Sequence, residues 1–147
     1  MKASVIRPYL EKFLQEYLES DEPLEPDEDG DYCFRRGSAE IIVSLIEEEQ
    51  PVVSILSVLL RGVKKNQQLL EVLNETNADC PFAKVYWREE GVVLRLDLLA
   101  ESLDDPQMRM ACSLVSRLAD ELDTSFKKKF RGGLAFRDES EEDVVKV

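Results

Sequence analysis

The chain has 147 residues, 44% of them hydrophobic, enough to close one core in one domain without disulfides or a structural metal. Its 31 Asp and Glu against 19 Lys and Arg give a formal net charge of -12, which repels nucleic acid and anionic membrane surfaces. Histidine is absent, and with it go the usual general base near neutral pH, the Ser-His and Cys-His nucleophile pairs and the commonest metal ligand.

In chain order, Val5, Ile6, Tyr9, Leu10, Phe13, Leu14, Tyr17 and Leu18 recur at three- and four-residue steps, the pattern of an amphipathic helix. Pro8 removes a helical hydrogen bond, so a regular helix is expected only from about Arg7. The acidic stretch Ser20 to Gly30, with Pro23 and Pro26, reads as a solvated loop. Tyr32 to Arg36, a Gly37-Ser38 turn and Ala39 to Ile46 form a hairpin. After a turn at Glu47 to Pro51, the β-branched run Val52 to Leu60 makes a third strand ending near Gly62. A short helix follows, with Asn66 as N-cap and Leu69, Leu70, Val72 and Leu73 as its apolar residues, ending around Asn77.

Phe82 to Trp87 and Val92 to Leu99 flank Arg88-Glu89-Glu90-Gly91 in a second hairpin whose turn carries its glycine late. A long helix opens with Asp105 as N-cap and Pro106 at its first position, and carries Met108, Ala111, Leu114, Val115, Leu118, Ala119, Leu122 and Phe126 on one stripe. Gly132-Gly133 stops it, and the run Lys127-Lys128-Lys129 with Arg131 complements the dipole at its end. The expected fold is α+β, in the order α-β-β-β-α-β-β-α, with a five-stranded antiparallel sheet flanked by helices. Residues 1–136 make the domain and residues 137–147 an acidic C-terminal tail.

Strand faces carry the functional information. In the last strand Val92, Leu94, Leu96 and Leu98 point one way, and Val93, Arg95, Asp97 and Leu99 the other. In the third, Val53, Ile55 and Leu59 lie on one side and Val52, Leu56, Val58 and Leu60 on the other, so both faces are apolar. Such a strand needs cover on both faces, and two terminal helices cover one. The second face is left to the middle helix, to a loop, to a dimer partner or to a bound peptide.

No G-x-S-x-G elbow, phosphate-binding glycine loop or calcium-loop spacing occurs; Asp27-Glu28-Asp29-Gly30-Asp31 comes nearest to the last and does not match it. Arg95 and Asp97 on the mixed face read as an exposed salt bridge rather than a catalytic pair. Cys33, Cys80 and Cys112 have no C-x-x-C spacing and read as reduced thiols in or near the core. No catalytic, cofactor-binding or metal-binding residue is therefore expected. The chain also lacks an apolar signal-peptide stretch or a run of ~20 apolar residues, which gives a cytoplasmic expectation.

Read in order, Pro51-Val52-Val53, Leu59-Leu60-Arg61-Gly62-Val63, Leu69 to Asn77, Phe82 to Trp87, Asp97 to Leu103 and Ala119 to Asp123 resemble one family. Its most specific pieces are Leu73-Asn74-x-x-Asn77 and Asp97-Leu98-Leu99-Ala100-Glu101. Across roughly residues 5 to 133, the chain is similar to the YbjN-like bacterial proteins and the CesT-type type III secretion peptide-binding chaperones. The resemblance implies the same element order, a tendency to dimerise, no catalytic residue and the holding of a non-globular client segment over apolar patches. It implies that the middle helix builds a dimer interface, and Asn74 and Asn77 are expected to cap or turn the chain at that helix's end. Leu56, Val58, Leu69, Val72 and Leu73 are thus the candidate dimer or client contacts. The expected function is a homodimeric, non-enzymatic, peptide- or protein-binding adaptor; the alternative is a regulatory or structural subunit packed against one folded partner.

Overall fold

A computed structural model describes residues 3–131, so the glycine stop at Gly132-Gly133 and the acidic tail lie outside the described residues. The elements are α1 (Ala3–Tyr17), β1 (Tyr32–Arg36), β2 (Ala39–Ile46), β3 (Val52–Arg61), α2 (Gln67–Asp79), β4 (Lys84–Arg88), β5 (Gly91–Leu99), a 3-10 turn (Ala100–Ser102) and α3 (Asp105–Arg131). The five strands form one sheet in the order β1-β2-β3-β5-β4, antiparallel throughout. Element order and fold class are those the sequence indicates.

Two helix starts differ from expectation. α1 begins at Ala3 and carries Pro8 inside it. The only bond that the proline removes is to the carbonyl of Ser4, an exposed residue in the first turn where water replaces it. The N-cap of α3 is Asp104, one residue before the expected Asp105, because its carboxylate accepts from the Gln107 amide at 2.9 Å. Pro106 still falls in the first turn, where no intrahelical N–H is needed. Asp105 instead ties the helices together, accepting the Tyr9 hydroxyl of α1 at 2.5 Å.

Cross-strand partners share a face, so the register sorts the sheet into two sides. Ile41, Val43, Ile55, Leu94 and Leu96 point to the inner side and are all buried. α3 packs across β2, β3 and β5 on that side. α1 lies beside α3 over β1: Tyr17 meets Phe34 edge-on at 6.2 Å, and the fully buried Tyr32 donates its hydroxyl to Glu11 at 2.7 Å. Leu60 departs from the expected alternation. A bulge between Val58 and Leu60 inserts Leu59, which turns Leu60 inward beside it to pair with Val92.

α2 guards an edge rather than a face. Asn66 caps it as expected, accepting from the Leu69 amide at 2.8 Å. Asn77, expected to end the helix, sits within it. Its amide oxygen accepts from the Val85 N–H at 2.7 Å, and its amide nitrogen donates to the Val85 carbonyl at 2.9 Å. One side chain thus replaces the missing neighbour of edge strand β4 at one residue.

The β4–β5 turn is tighter than the sequence suggests. Arg88 pairs with Gly91, which leaves Glu89 and Glu90 as a two-residue loop with φ of 50° and 60°. That mirror-image turn favours Asn-Gly, and glutamates there are strained. Gly91 serves packing instead, since a Cβ would stand 3.3 Å from the Leu60 carbonyl oxygen. The double substitution Glu89→Asn, Glu90→Gly is expected to stabilise the fold by about 1 kcal/mol. Urea unfolding measures it, and an unchanged midpoint would contradict the strain.

Candidate functional site

Of the helices, α3 packs on the inner side of β2, β3 and β5 and α2 lies along β4; on the outer side the loop residue Asp27 reaches Cys33 at the β1 margin. Ile42, Ile46, Val52, Leu56, Val58 and Val93 form a half-buried apolar strip across β2, β3 and β5, and Leu99 at its end is exposed. The doubly apolar third strand therefore has its second face open, and α2 does not cover it. Leu56 and Val58 lie at the centre of the strip, on the face expected to meet a partner.

The other residues singled out from the sequence are not brought to this face. Leu69 and Leu73 turn into the chain's own core, 0% and 4% exposed, and Val72 packs partly against it. A helix lying along β4 needs these side chains to fill the space beneath it, so its exposed apolar residue is Leu70. Asn74 is exposed on α2.

Polar groups punctuate the strip. Asp97 Oδ1 accepts from Arg95 Nε at 2.8 Å and also from the Ser54 hydroxyl of the neighbouring strand. The Asp97 bond raises the Arg95 pKa against the pull of burial. Partial burial alone would push the Asp97 carboxyl up, but the bonds from Arg95 and Ser54 outweigh it and hold the group below its ordinary value. Arg95 and Asp97 satisfy each other on an open surface, as an exposed salt bridge does.

At one end of the strip the β2–β3 ladder stops at Ile42 and Leu56, and beyond it Ser57 Oγ donates to the Glu40 carbonyl at 2.8 Å. The strands diverge there into a cleft of about 300 Å³ rimmed by Arg35, Arg61 and Lys127, with Val58 and Asp123 in its walls. Asp123 is nearly buried and is neutralised by Lys127, whose Nζ stands 3.1 Å from Oδ1. Lys127, expected only to complement the helix end, is thus committed to this pair.

A second apolar surface escaped the sequence reading. Phe82, in the loop after α2, is 86% exposed with a left-handed φ of 72°, an arrangement disfavoured for a bulky residue. It lines a groove with Met110 and Leu114 of α3, where Met110 is 71% exposed. The available signal was Met110 itself, an apolar residue off the buried stripe of its helix.

The remaining reactive groups are quiet. Cys112 is buried, which pushes its thiol up to about 12. Cys33 is exposed on the outer side, not in the core; its thiol is raised by desolvation and by Asp27 beside it. The carboxylates of Asp27, Asp29 and Asp31 approach within 4.8 Å of one another. Asp27 Oδ1 is used by the loop, accepting from the amides of Asp29 and Asp31 at 2.9 Å each.

Comparison with known proteins gives this architecture a family. The model described as "T3SS (YopN, CesT) and YbjN peptide-binding chaperone 1" matches residues 5–138. The chain belongs to that family of peptide-binding chaperones. Comparison with curated protein sequences returns no match. Among solved structures the chain is similar to one in the ExsC–ExsE complex, with 14% identity, a TM-score of 0.67, and coverage of 84% of this chain and 96% of that one. It is similar also to a chain of the HopA1–SchA chaperone–effector complex, at 14% identity and TM-score 0.62, covering 82% and 96%. A third likeness is to a chain in the complex of the Yersinia pestis type III secretion chaperone SycH with a fragment of YscM2, at 17% identity and TM-score 0.54, covering 78% and 97%. At these identities the likeness is one of fold. Among the described residues no helix is long and apolar enough to cross a membrane.

The depressed carboxyl fixes a pH dependence. A group whose pKa falls on folding contributes stability above its unfolded value, about 3.9, and loses that contribution as pH drops through the lower folded value. Asp97→Asn is therefore expected to lower stability at about pH 7 and to cost less at about pH 3. Urea titrations of both proteins across that range read the gap, and a gap independent of pH would mean that ionised Asp97 is not its source.

Proposed function

We propose that the chain is a non-enzymatic, chaperone-like adaptor that holds an extended polypeptide segment on the open face of its sheet and works as a homodimer in the cytoplasm of a bacterium. The observation that carries this reading is the uncovered apolar strip centred on Leu56 and Val58. Its support is threefold: membership of a peptide-binding family, fold likeness to chains in a chaperone–effector and a chaperone–fragment complex, and an Arg95–Asp97 pair whose charges are already paired. Leu56 and Val58 are the client contacts in this proposal. The second copy docks at the groove of Phe82, Met110 and Leu114, beside α2, because a bulky residue held exposed at positive φ needs a partner to justify its strain.

Two measurements test the reading. The tagged protein is cross-linked in its native cells, and its partner is then subjected to limited proteolysis free and bound. A segment cut when free and protected when bound is the expected result, lost in Leu56→Asp with Val58→Asp. A partner that resists cleavage when free would favour a subunit packed on a folded protein. Sedimentation should give twice the chain mass for the natural protein and the single-chain mass for Phe82→Asp; a monomeric natural protein would remove the homodimer.

A further inference from the structure

The charge of the open face runs against the charge of the molecule. The chain carries a net charge of -12, yet Arg35, Arg61, Lys84, Arg88 and Arg95 stand on the outer side of the sheet against Glu40 and Asp97, with Asp27 at the β1 margin and Arg88 paired to Glu89. These cations are not equally available. Arg95 is consumed by Asp97, and Lys84 leans over the Tyr86 ring with its Nζ 6.0 Å from the centroid. The side chains of Arg35 and Arg61 take part in no hydrogen bond or ion pair among the described residues, and both line the cleft beside Val58. The cleft's nearly buried carboxylate, Asp123, is paired in charge with Lys127 although its Oδ1 accepts no hydrogen bond, and Glu40, opposite Arg35 on the next strand, lines the same cleft without an ion pair to either arginine.

We propose that the face selects client segments in which apolar residues alternate with carboxylates, and that Arg35 and Arg61 are the groups that read those carboxylates. This rests on the peptide-holding reading and names the chemistry of the client. Apolar side chains of such a segment cover Leu56, Val58 and Val93 while its acids reach the cleft rim, where a guanidinium takes a carboxylate in two parallel hydrogen bonds. A basic segment of equal hydropathy meets the same arginines as like charges. The acidic remainder of the molecule does not cancel this preference, because at physiological salt its field is screened beyond about 8 Å and the rim arginines act at contact. A second copy is a poorer occupant, since two such faces placed together match positive surface with positive surface.

Fluorescence anisotropy with the full chain at physiological salt tests it, using labelled dodecapeptides of alternating Val-Glu, Val-Lys and Val-Ser. The natural protein is expected to bind Val-Glu at least about tenfold tighter than Val-Lys, with Val-Ser between. Arg35→Glu with Arg61→Glu should reverse that order, and Leu56→Asp with Val58→Asp should weaken all three. Far-UV circular dichroism confirms that each variant is folded. Equal affinity for Val-Glu and Val-Lys, with Leu56→Asp and Val58→Asp still disruptive, would overturn the selectivity and leave peptide holding intact. An acidic preference that survives the arginine reversal would overturn the assignment to Arg35 and Arg61. Failure of the natural protein to bind any of the three would overturn both.

Discussion

A twisted sheet with its helices on one side has a core on that side only, and β3 is too apolar for this arrangement to be neutral. Val53, Ile55 and Leu59 are buried beneath α3, while Val52, Leu56 and Val58 look outward, away from α3, and are only partly buried. Fully burying an aliphatic side chain is worth about 1.5–3 kcal/mol relative to leaving it in water, so a strip of partly buried ones forgoes a fraction of that at each residue. The domain folds without that contribution because its inner core is continuous from α1 through the sheet to α3. What the fold leaves unclaimed is available to a partner.

The polar groups on the open face follow from the same constraint. An all-apolar strip of this size would invite indiscriminate association. Ser54, Arg95 and Asp97 interrupt it with a network in which the two charges are paired with each other, so that covering it leaves no charge without a counter-charge. Arg35 and Arg61 differ in kind: they stand at the border with unused donors. A cover for this face accordingly meets a satisfied centre and an unsatisfied rim.

Periodicity revealed what backbone hydrogen bonding and burial dictate locally. The hairpins, the Asn66 cap, both faces of β5 and the apolar character of both faces of β3 were all legible, because alternation and turn chemistry are short-range signals; what lies over the second face of β3 was not. Family likeness supplied the same element order by a separate route. What escaped was decided at longer range. Whether Leu69 and Leu73 face a partner or the core depends on where α2 docks, and a helix's own stripe does not say which body it meets. Asn77 gave no hint that its amide would meet Val85, eight residues on across a turn. The bulge that turns Leu60 inward and the divergence of β2 from β3 that frames the cleft are properties of strand pairs, not of either strand. Phe82 is an unremarkable residue in a loop until its exposure and left-handed backbone are seen together.

Asn77 also gives the sheet a direction. With its amide spanning both backbone groups of Val85, the β4 side is blunted at that residue, while β1 at the opposite side has no neighbouring strand among the described residues. An assembly that grows by strand pairing needs two usable margins on every unit, one to join by and one to pass on. This chain offers one. Pairing through β1 therefore ends after a single addition, so that a strand-mediated contact, whether with another polypeptide or with another copy, gives a closed pair and not a fibre.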